Sequence, residues 1–365
     1  MNTSVQLRDT AAHFFGKGDF SLEENRSGHI NNTYFVNSDG GRFILQKINK
    51  NVFTRPEEVM ANIAAVTSHI RKKLIAEGMD PERGVLNFLD SDTGKNFYID
   101  PDGEYWRAYR YIDGVCRNEC DSPEIFTNAG VAFGEFQSYL ADFDAGSLFE
   151  TIKDFHNTEK RFEALTAAAR ADKVGRAASV EAELGFAFTC CENNYCSFIP
   201  NGIASGAFRL RVTHNDTKLN NVVLDRESGK GICVIDLDTV MPGSLLYDFG
   251  DAVRFGASSA AEDERDLTKV RFVPEMFAAF AYGFVKGLHG AATKEEIEAF
   301  PKAAAILTFE TGIRFLTDYL SGDTYFKIGY PEHNLDRARN QFRLVGSIEE
   351  QKDILDTITK RLSEQ

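Results

Sequence analysis

Residues 209–225, RLRVTHNDTKLNNVVLD, set His214, Asp216 and Asn221 in the spacing H-x-D-x-x-x-x-N between two short apolar runs. Leu210 and Val212 alternate into the segment and Val222 and Leu224 alternate out of it, so the polar residues fall on a loop gripped between strands. Phosphoryl transfer asks a protein for a carboxylate at the acceptor hydroxyl and an oxygen ligand for the metal, both fixed in place. Asp216 is therefore the candidate general base and Asn221 a candidate metal ligand. Lys218 adds a cation two residues past the acid, where it can touch a transferring phosphoryl group.

A second acid is expected one hairpin later. The run GICVIDLD, residues 231–238, is an apolar strand ending in Asp236 and Asp238. Carboxylates ending a buried strand cost free energy unless a cation or donors meet them. Magnesium takes one or two carboxylates together with phosphate oxygens and water, which makes Asp236 the second candidate metal ligand. Continued alternation would put Asp238 on the same face, or it caps the turn DTVMPG. The string Asp248-Phe249-Gly250 imitates a protein-kinase metal loop, but no strand precedes it and YDFGDAVRF reads as a helix start. Asp248 is expected to be structural, bonding back to the candidate catalytic loop or capping that helix.

The elements that must hold these residues fall into two groups. A helix near the start is followed by strands at 19–24, 32–37 and 42–48, the last two flanking the turn SDGG. Pro56 opens a helix with Val59, Ile63, Val66 and Ile70 on one stripe. VLNFL, NFYI and EYWRAYRYI then read as three more strands, giving β, β, β, α, β, β, β. Past Asp113-Gly114 the character is mostly helical: 123–143, one or two helices in 157–195, then helices near 245–255, 274–287, 295–320 and 334–362, interrupted by the β island that carries the candidate site. The expected domains are 1–113, a nucleotide-binding lobe with the hinge at its end, and 114–365, a helical lobe carrying the catalytic loop and substrate site.

A chain of 365 residues suits two packed lobes. Its formal net charge of −14 argues against nucleic-acid or anionic-membrane partners, which need a positive footprint. No secretory signal and no membrane-length apolar run is visible, so the expected location is cytoplasmic. Cys116, Cys120, Cys190, Cys191, Cys196 and Cys233 have no zinc spacing and read as free thiols.

HNDTKLNN followed by VIDLDTVMPGSLLYDFGD resembles the aminoglycoside phosphotransferase and choline kinase superfamily. Within it the wording is similar to the N-acetylhexosamine 1-kinases, through SGHINNTYFV, FILQKIN, RFGAS, GIRFLTDYLSGD and YPEHNL, and so spans nearly the whole chain. The resemblance implies an α+β, bilobal protein-kinase-like fold with a small antiparallel-sheet N-lobe and a larger, mostly helical C-lobe. It implies ATP and Mg2+, an amino-sugar substrate phosphorylated at its anomeric hydroxyl, Asp216 as base, and Asn221 with Asp236 on the metal. Residues 27–33, SGHINNT, would cover the phosphates, with Gly28, His29, Asn31, Asn32 and Thr33 in place of a glycine-rich loop. Adenine would lie on the backbone of Arg110, Tyr111 and Ile112.

The strand lysine departs from the protein-kinase pattern. In FILQKI, alternation separates Gln46 from Lys47, and Gln46 is expected to face the nucleotide, without a Lys–Glu pair. On TFETGIRFLTDYL, Glu310, Arg314 and Asp318 share a stripe, either as an exposed ion-pair ladder or, as the resemblance implies, with Arg314 donating to the sugar. The alternatives are a kinase for another small alcohol (aminoglycoside, choline, homoserine or another sugar) and a nucleotide-binding regulator without catalysis. The intact set Asp216, Lys218, Asn221 and Asp236 speaks against the regulator.

Overall fold

The computed structural model describes residues 3–25 and 30–364. Helix α1 (Thr3–Phe15) leads into β1 (Phe20–Asn25), β2 (Asn32–Ser38) and β3 (Gly41–Lys47); α2 (Pro56–Ala76) and the short α3 (Pro81–Gly84) precede β4 (Tyr98–Ile99) and β5 (Tyr105–Arg110). The five strands form one antiparallel sheet in the order β1-β2-β3-β5-β4. Side-chain alternation gives the sheet two characters. Phe20, Val36, Phe43, Leu45, Trp106 and Ala108 pack on one face against Ala11 of α1. Thr33, Gln46 and Arg107 stand opposite one another in register and face the other way, toward the helical lobe. Gln46 is thus on the cleft face and Lys47 is not.

VLNFL does not become a full strand. Only Phe88 bridges to Tyr109, although Leu89 N–H donates to Ala108 O (2.8 Å) and Arg110 N–H to Asn87 O (3.0 Å). This segment and β4 share the single outer edge of β5, and the turn at 91–95 divides that edge between them. The sheet therefore has five strands where the sequence suggested six.

Beyond β5, the N–H groups of Val115 and Leu224 each donate to the other's carbonyl, at 2.8 and 2.9 Å. Gly114 is required by this approach, since a Cβ there would lie 2.4 Å from Val223 Cγ1. The helical lobe then runs through α4 (Pro123–Tyr139), α5 (Thr158–Ala171), α6 (Glu181–Glu192) and α7 (Phe198–Ser205). The β island comprises β6 (Arg211–Thr213), β7 (Val222–Leu224), β8 (Gly231–Val234) and β9 (Met241–Gly243), and its pairs are β6–β9 and β7–β8. Helices α8 (Leu245–Gly256), α9 (Pro274–Gly287), α10 (Lys294–Glu298), α11 (Phe300–Ser321), α12 (His333–Glu350) and α13 (Lys352–Ser363) complete it. The two long helices expected near the C-terminus are each broken. Pro301, at the start of α11, lacks the N–H that a continuous helix would need there. Gln351 separates α12 from α13 while its amide donates to Phe272 O and Ser347 O. No helix of the described residues is long and apolar enough to cross a membrane.

Phenylalanine fills the floor beneath the β island: Phe249 stacks on Phe300 at 3.8 Å and meets Phe277, Phe280 and Phe284 edge-on. Beside it α4 and α9 cross backbone to backbone. Built Cβ atoms at Gly130 and Gly134 would lie 2.6 and 2.3 Å from the carbonyls of Phe280 and Phe284, and one at Gly283 would lie 2.1 Å from that of Thr127. Gly283→Ala should gain about 1 kcal/mol of helix propensity but lose about 1–3 kcal/mol or more to overpacking against rigid backbone. A lowered Tm is expected, while Gly185→Ala on α6, where nothing lies within 4 Å, should raise it. Equal shifts in the two variants would contradict the close crossing.

Candidate active site

The loop after β6 is held by side chains rather than by regular structure. The N–H groups of His214 and Asn215 donate to the Asp248 carboxylate at 3.0 and 2.7 Å. Asp216 N–H donates to His214 Nδ1 (3.2 Å) and Thr217 N–H to Asp251 Oδ2 (3.0 Å). Four consecutive amides thus end on side chains, two of them carboxylates of α8. His214 Nε2 lies 2.8 Å from Ile235 O, so Nε2 carries the proton and Nδ1 accepts. Asn215 takes a positive φ of 66°, unusual without glycine. Its amide stabilises this by donating to Thr213 O and Thr239 O.

This arrangement settles what DFG means here. Asp248 sits in the first turn of α8, fully inside the protein, and Gln137 Nε2 supplies its third donor at 2.6 Å. Burial raises its carboxyl above the ordinary value, while the three donors oppose the rise. It is structural, as the sequence suggested. Burial would likewise raise Asp251, but Arg254, Lys218 and His156 more than offset that and hold it below the usual range.

Asp216 opens part-way to the cleft. Lys218 Nζ lies 2.7 Å from its Oδ1, and Asn221 Nδ2 donates to its backbone oxygen (2.8 Å) and to Oδ2 (3.2 Å). Burial works against the charge on Lys218, yet Asp216 and Asp251 keep its pKa above the ordinary value. With its nitrogen so engaged, Asn221 has its amide oxygen without a partner among the described residues.

Asp236 and Asp238 part company, contrary to the same-face expectation. β8 ends at Val234 and Asp236 adopts φ 59°, which breaks the alternation. Asp238 turns inward to a buried ion pair with Arg107 of β5 and accepts from Asn31 Nδ2 at 2.7 Å. Asp236 instead opens into the cleft, with no hydrogen-bond donor on its carboxylate among the described residues. Desolvation on its protein side, then Asp238 and Asp216, push it up to about 7 against the pull of Arg107. An unsatisfied, mutually repelling carboxylate set beside a free amide oxygen is a donor set that a hard divalent cation relieves, so Asp236 and Asn221 fit magnesium.

On the sheet side, Arg107 donates twice to Gln46 Oε1 (3.0 and 2.8 Å), and Gln46 Nε2 donates to Thr33 Oγ1 (3.1 Å). Asn31 Oδ1 accepts Asn49 N–H (3.0 Å). Asn31, Thr33 and Gln46 therefore belong to one interlobe network centred on Arg107 of β5, which stands opposite Gln46 in register. Asn32 is exposed and in register with Lys47, away from the cleft. Gly28 and His29 lie outside the described residues. Along the linker, Arg110 N–H and Tyr111 N–H are already bonded to Asn87 O and Arg42 O. Ile112 is the first of the three whose N–H has no partner among the described residues. Beside it Phe35, Ile44, Tyr109 and Tyr111 form an apolar wall on the cleft face, with Phe35 edge-on to Tyr111 at 6.0 Å.

The stripe on α11 is not an exposed ladder. Glu310 is buried and accepts from Thr158 Oγ1 (2.7 Å) and His156 Nδ1 (2.8 Å). Asp318 accepts the N–H groups of Thr324, Tyr325 and Phe326 and the amide of Asn334. Arg314, between them, has no hydrogen bond or ion pair among the described residues and lies beside Phe155 and Phe326, at 6.0 and 5.7 Å from their ring centres. Arg161 stands nearby with Nε buried and unpartnered, and its pKa is lowered by burial and by Arg314.

Sequence reasoning missed Arg107, His156 and Asp251 as site residues. Arg107 left a signal: in EYWRAYRYI it alternates with Trp106 and so had to share the cleft face. Nothing local marked His156.

A family profile described as APH, phosphotransferase enzyme family, matches residues 21–287, more than two thirds of the chain. Among solved structures, a choline kinase from Cryptosporidium parvum Iowa II aligns with a TM-score of 0.61 at 12% identity, over 100% of this chain and 99% of that one. An aminoglycoside phosphotransferase from Alicyclobacillus acidocaldarius aligns with a TM-score of 0.58 at 11% identity, over 96% of each chain. A choline/ethanolamine kinase family protein from Mesorhizobium loti gives 0.58 at 16% identity, over 98% of this chain and 99% of that one. At these identities the likeness is one of fold.

Proposed function

Because the chain belongs to the APH phosphotransferase enzyme family, we propose that it moves the γ-phosphoryl group of ATP to the anomeric hydroxyl of an N-acetylhexosamine, N-acetylglucosamine or N-acetylgalactosamine. The magnesium–nucleotide complex supplies the transferable phosphoryl group and the positive charge that shields it. Asp216 orients the acceptor hydroxyl and takes its proton as the oxygen attacks. Lys218, paired with Asp216 at 2.7 Å, lies at the developing negative charge. Asn221 and Asp236 hold the metal, and the apolar wall with the linker backbone from Ile112 holds adenine. The lobes meet at Asp113–Gly114, the nucleotide bound before it and the acceptor after it.

The acceptor class rests on one observation: Arg161 and Arg314 stand near each other with no direct ion pair to a carboxylate among the described residues, Glu310 and Asp154 acting on Arg161, and Glu310 on Arg314, only through space. Glu310, which accepts from His156, and Asp318, on backbone amides, are engaged elsewhere. A cationic acceptor such as choline or an aminoglycoside would be repelled there, whereas sugar hydroxyls and an acetamido carbonyl accept from guanidinium. Aromatic faces at Phe155 and Phe326 suit a sugar ring. Release of ADP across N-acetylhexosamines, other sugars, choline, homoserine and an aminoglycoside tests this. Turnover restricted to the cations would refute the acceptor assignment. Phosphorus NMR of the product distinguishes an anomeric phosphate from a primary one.

Arg314→Met keeps the stem and removes the fork. It is expected to raise KM for the hexosamine at least about tenfold and leave KM for ATP unchanged, as the loss of a charged hydrogen bond implies. Unchanged KM values for both substrates would remove Arg314 from the acceptor site.

A further inference from the structure

We propose that His156 is a positioning residue that ties the acceptor helix α11 to the peptide carrying the base. His156 lies on the segment before α5, is nearly enclosed, and stacks on Tyr247 of α8 at 5.1 Å. Its Nδ1 is 2.8 Å from Glu310 Oε1 and its Nε2 is 3.3 Å from the carbonyl oxygen of Asn215. Both partners are acceptors, so the ring donates from both nitrogens. Thr158 occupies the other oxygen of Glu310, which leaves that carboxylate no freedom to turn.

The Asn215 carbonyl belongs to the peptide unit that ends at Asp216. The contacts described above hold the N–H side of the loop, three of them from α8 and that of Asp216 from His214. Among the described residues, His156 is the one side-chain donor on the Asn215 carbonyl, and it comes from the acceptor side. One helical turn past Glu310 stands Arg314. A short rigid chain, Glu310 to His156 to the Asn215–Asp216 peptide, therefore fixes the base relative to the residue proposed to grip the acceptor. Misplacing a base by a fraction of an ångström lowers turnover without changing how the nucleotide binds.

This inference rests on the reading of Asp216 as base, and the test separates the two. His156→Phe keeps the stack on Tyr247 but strands Glu310 as a buried charge, so its Tm should fall. The double variant His156→Phe/Glu310→Leu removes that charge and should regain most of the Tm. Its kcat should nonetheless stay at least about tenfold below the parent at saturating acceptor, with KM for ATP within about twofold, as expected for an interaction that matters in the transition state. His156→Gln, which can still donate to the Asn215 carbonyl, should restore kcat to within a few-fold. If kcat recovers in step with Tm in the double variant, or if KM for ATP rises as much as kcat falls, His156 is only a packing residue and the proposal is overturned. Asp216→Asn is measured alongside. An inactive Asp216→Asn with a fully active double variant sinks this inference alone, and an active Asp216→Asn sinks it together with the assignment of the base.

Discussion

Asp216→Asn is expected to lose on the order of 10²-fold or more in turnover, the usual scale for a general base, while the protein keeps its fold and its affinity for ATP. Asparagine preserves the shape of the side chain and an oxygen to accept from Asn221, which in the parent donates to Oδ2 at 3.2 Å. It removes the capacity to take a proton and the negative charge that Lys218 meets at 2.7 Å. No core residue depends on the carboxylate, which lies part-way open to the cleft. The discriminating measurements are turnover by ADP release and ATP affinity by calorimetry on the same preparation. Undiminished turnover in a folded sample would mean the proton goes elsewhere.

Asp248→Ala should injure stability and activity together. Three donors converge on its carboxylate, the N–H groups of His214 and Asn215 and the amide of Gln137. Each buried donor left unsatisfied costs roughly 1–3 kcal/mol. Relief from burying a charge offsets part of this, so a net loss of a few kcal/mol is expected from the stranded donors. Turnover falls as well, because the strained Asn215 loses its anchor. Asp236→Ala is the contrast: no donor among the described residues touches that carboxylate, and removing it relieves repulsion from Asp238 and Asp216. Its Tm should hold or rise while magnesium-supported turnover disappears. A chemical-denaturation midpoint for each variant, with a magnesium titration of its activity, decides the matter. An Asp248→Asn variant that needs more magnesium at unchanged Tm would transfer the metal role to Asp248.

Local pattern made much of this legible in the sequence. The loop between β6 and β7, the apolar stripe of α2, the placing of Gln46 and Lys47 on opposite faces and the bonding of Asp248 back to the loop all follow from spacing over a few residues, though which of Gln46 and Lys47 faces the cleft does not. The rest depends on pairings that periodicity does not encode. Asn31 meets Asp238 across 207 positions, Arg107 meets Asp238 across 131, and His156 meets Glu310 across 154. Even so, the side of the sheet on which Arg107 stands could be read from its neighbour Trp106, though not its partner. The expected alternation of Asp236 and Asp238 failed because one left-handed residue reverses the face, and such a residue without glycine leaves no mark in composition. VLNFL read as a strand because its own residues favour one, while the edge it would occupy was already shared.

The four amides of residues 214–217 carry a consequence for the timescale on which Asp216 is placed. They lie outside regular structure, where backbone protons ordinarily exchange with water through small local fluctuations. Here two of the acceptors are carboxylates of α8, a helix whose Phe249 sits at the centre of the aromatic floor. Releasing the protons of His214, Asn215 and Thr217 requires α8 to leave its bed, so their exchange is coupled to cooperative unfolding of the helical lobe rather than to loop motion. Asp216 is thus set when the chain folds, before any ligand arrives, and rearrangement during turnover falls to the partners that approach it.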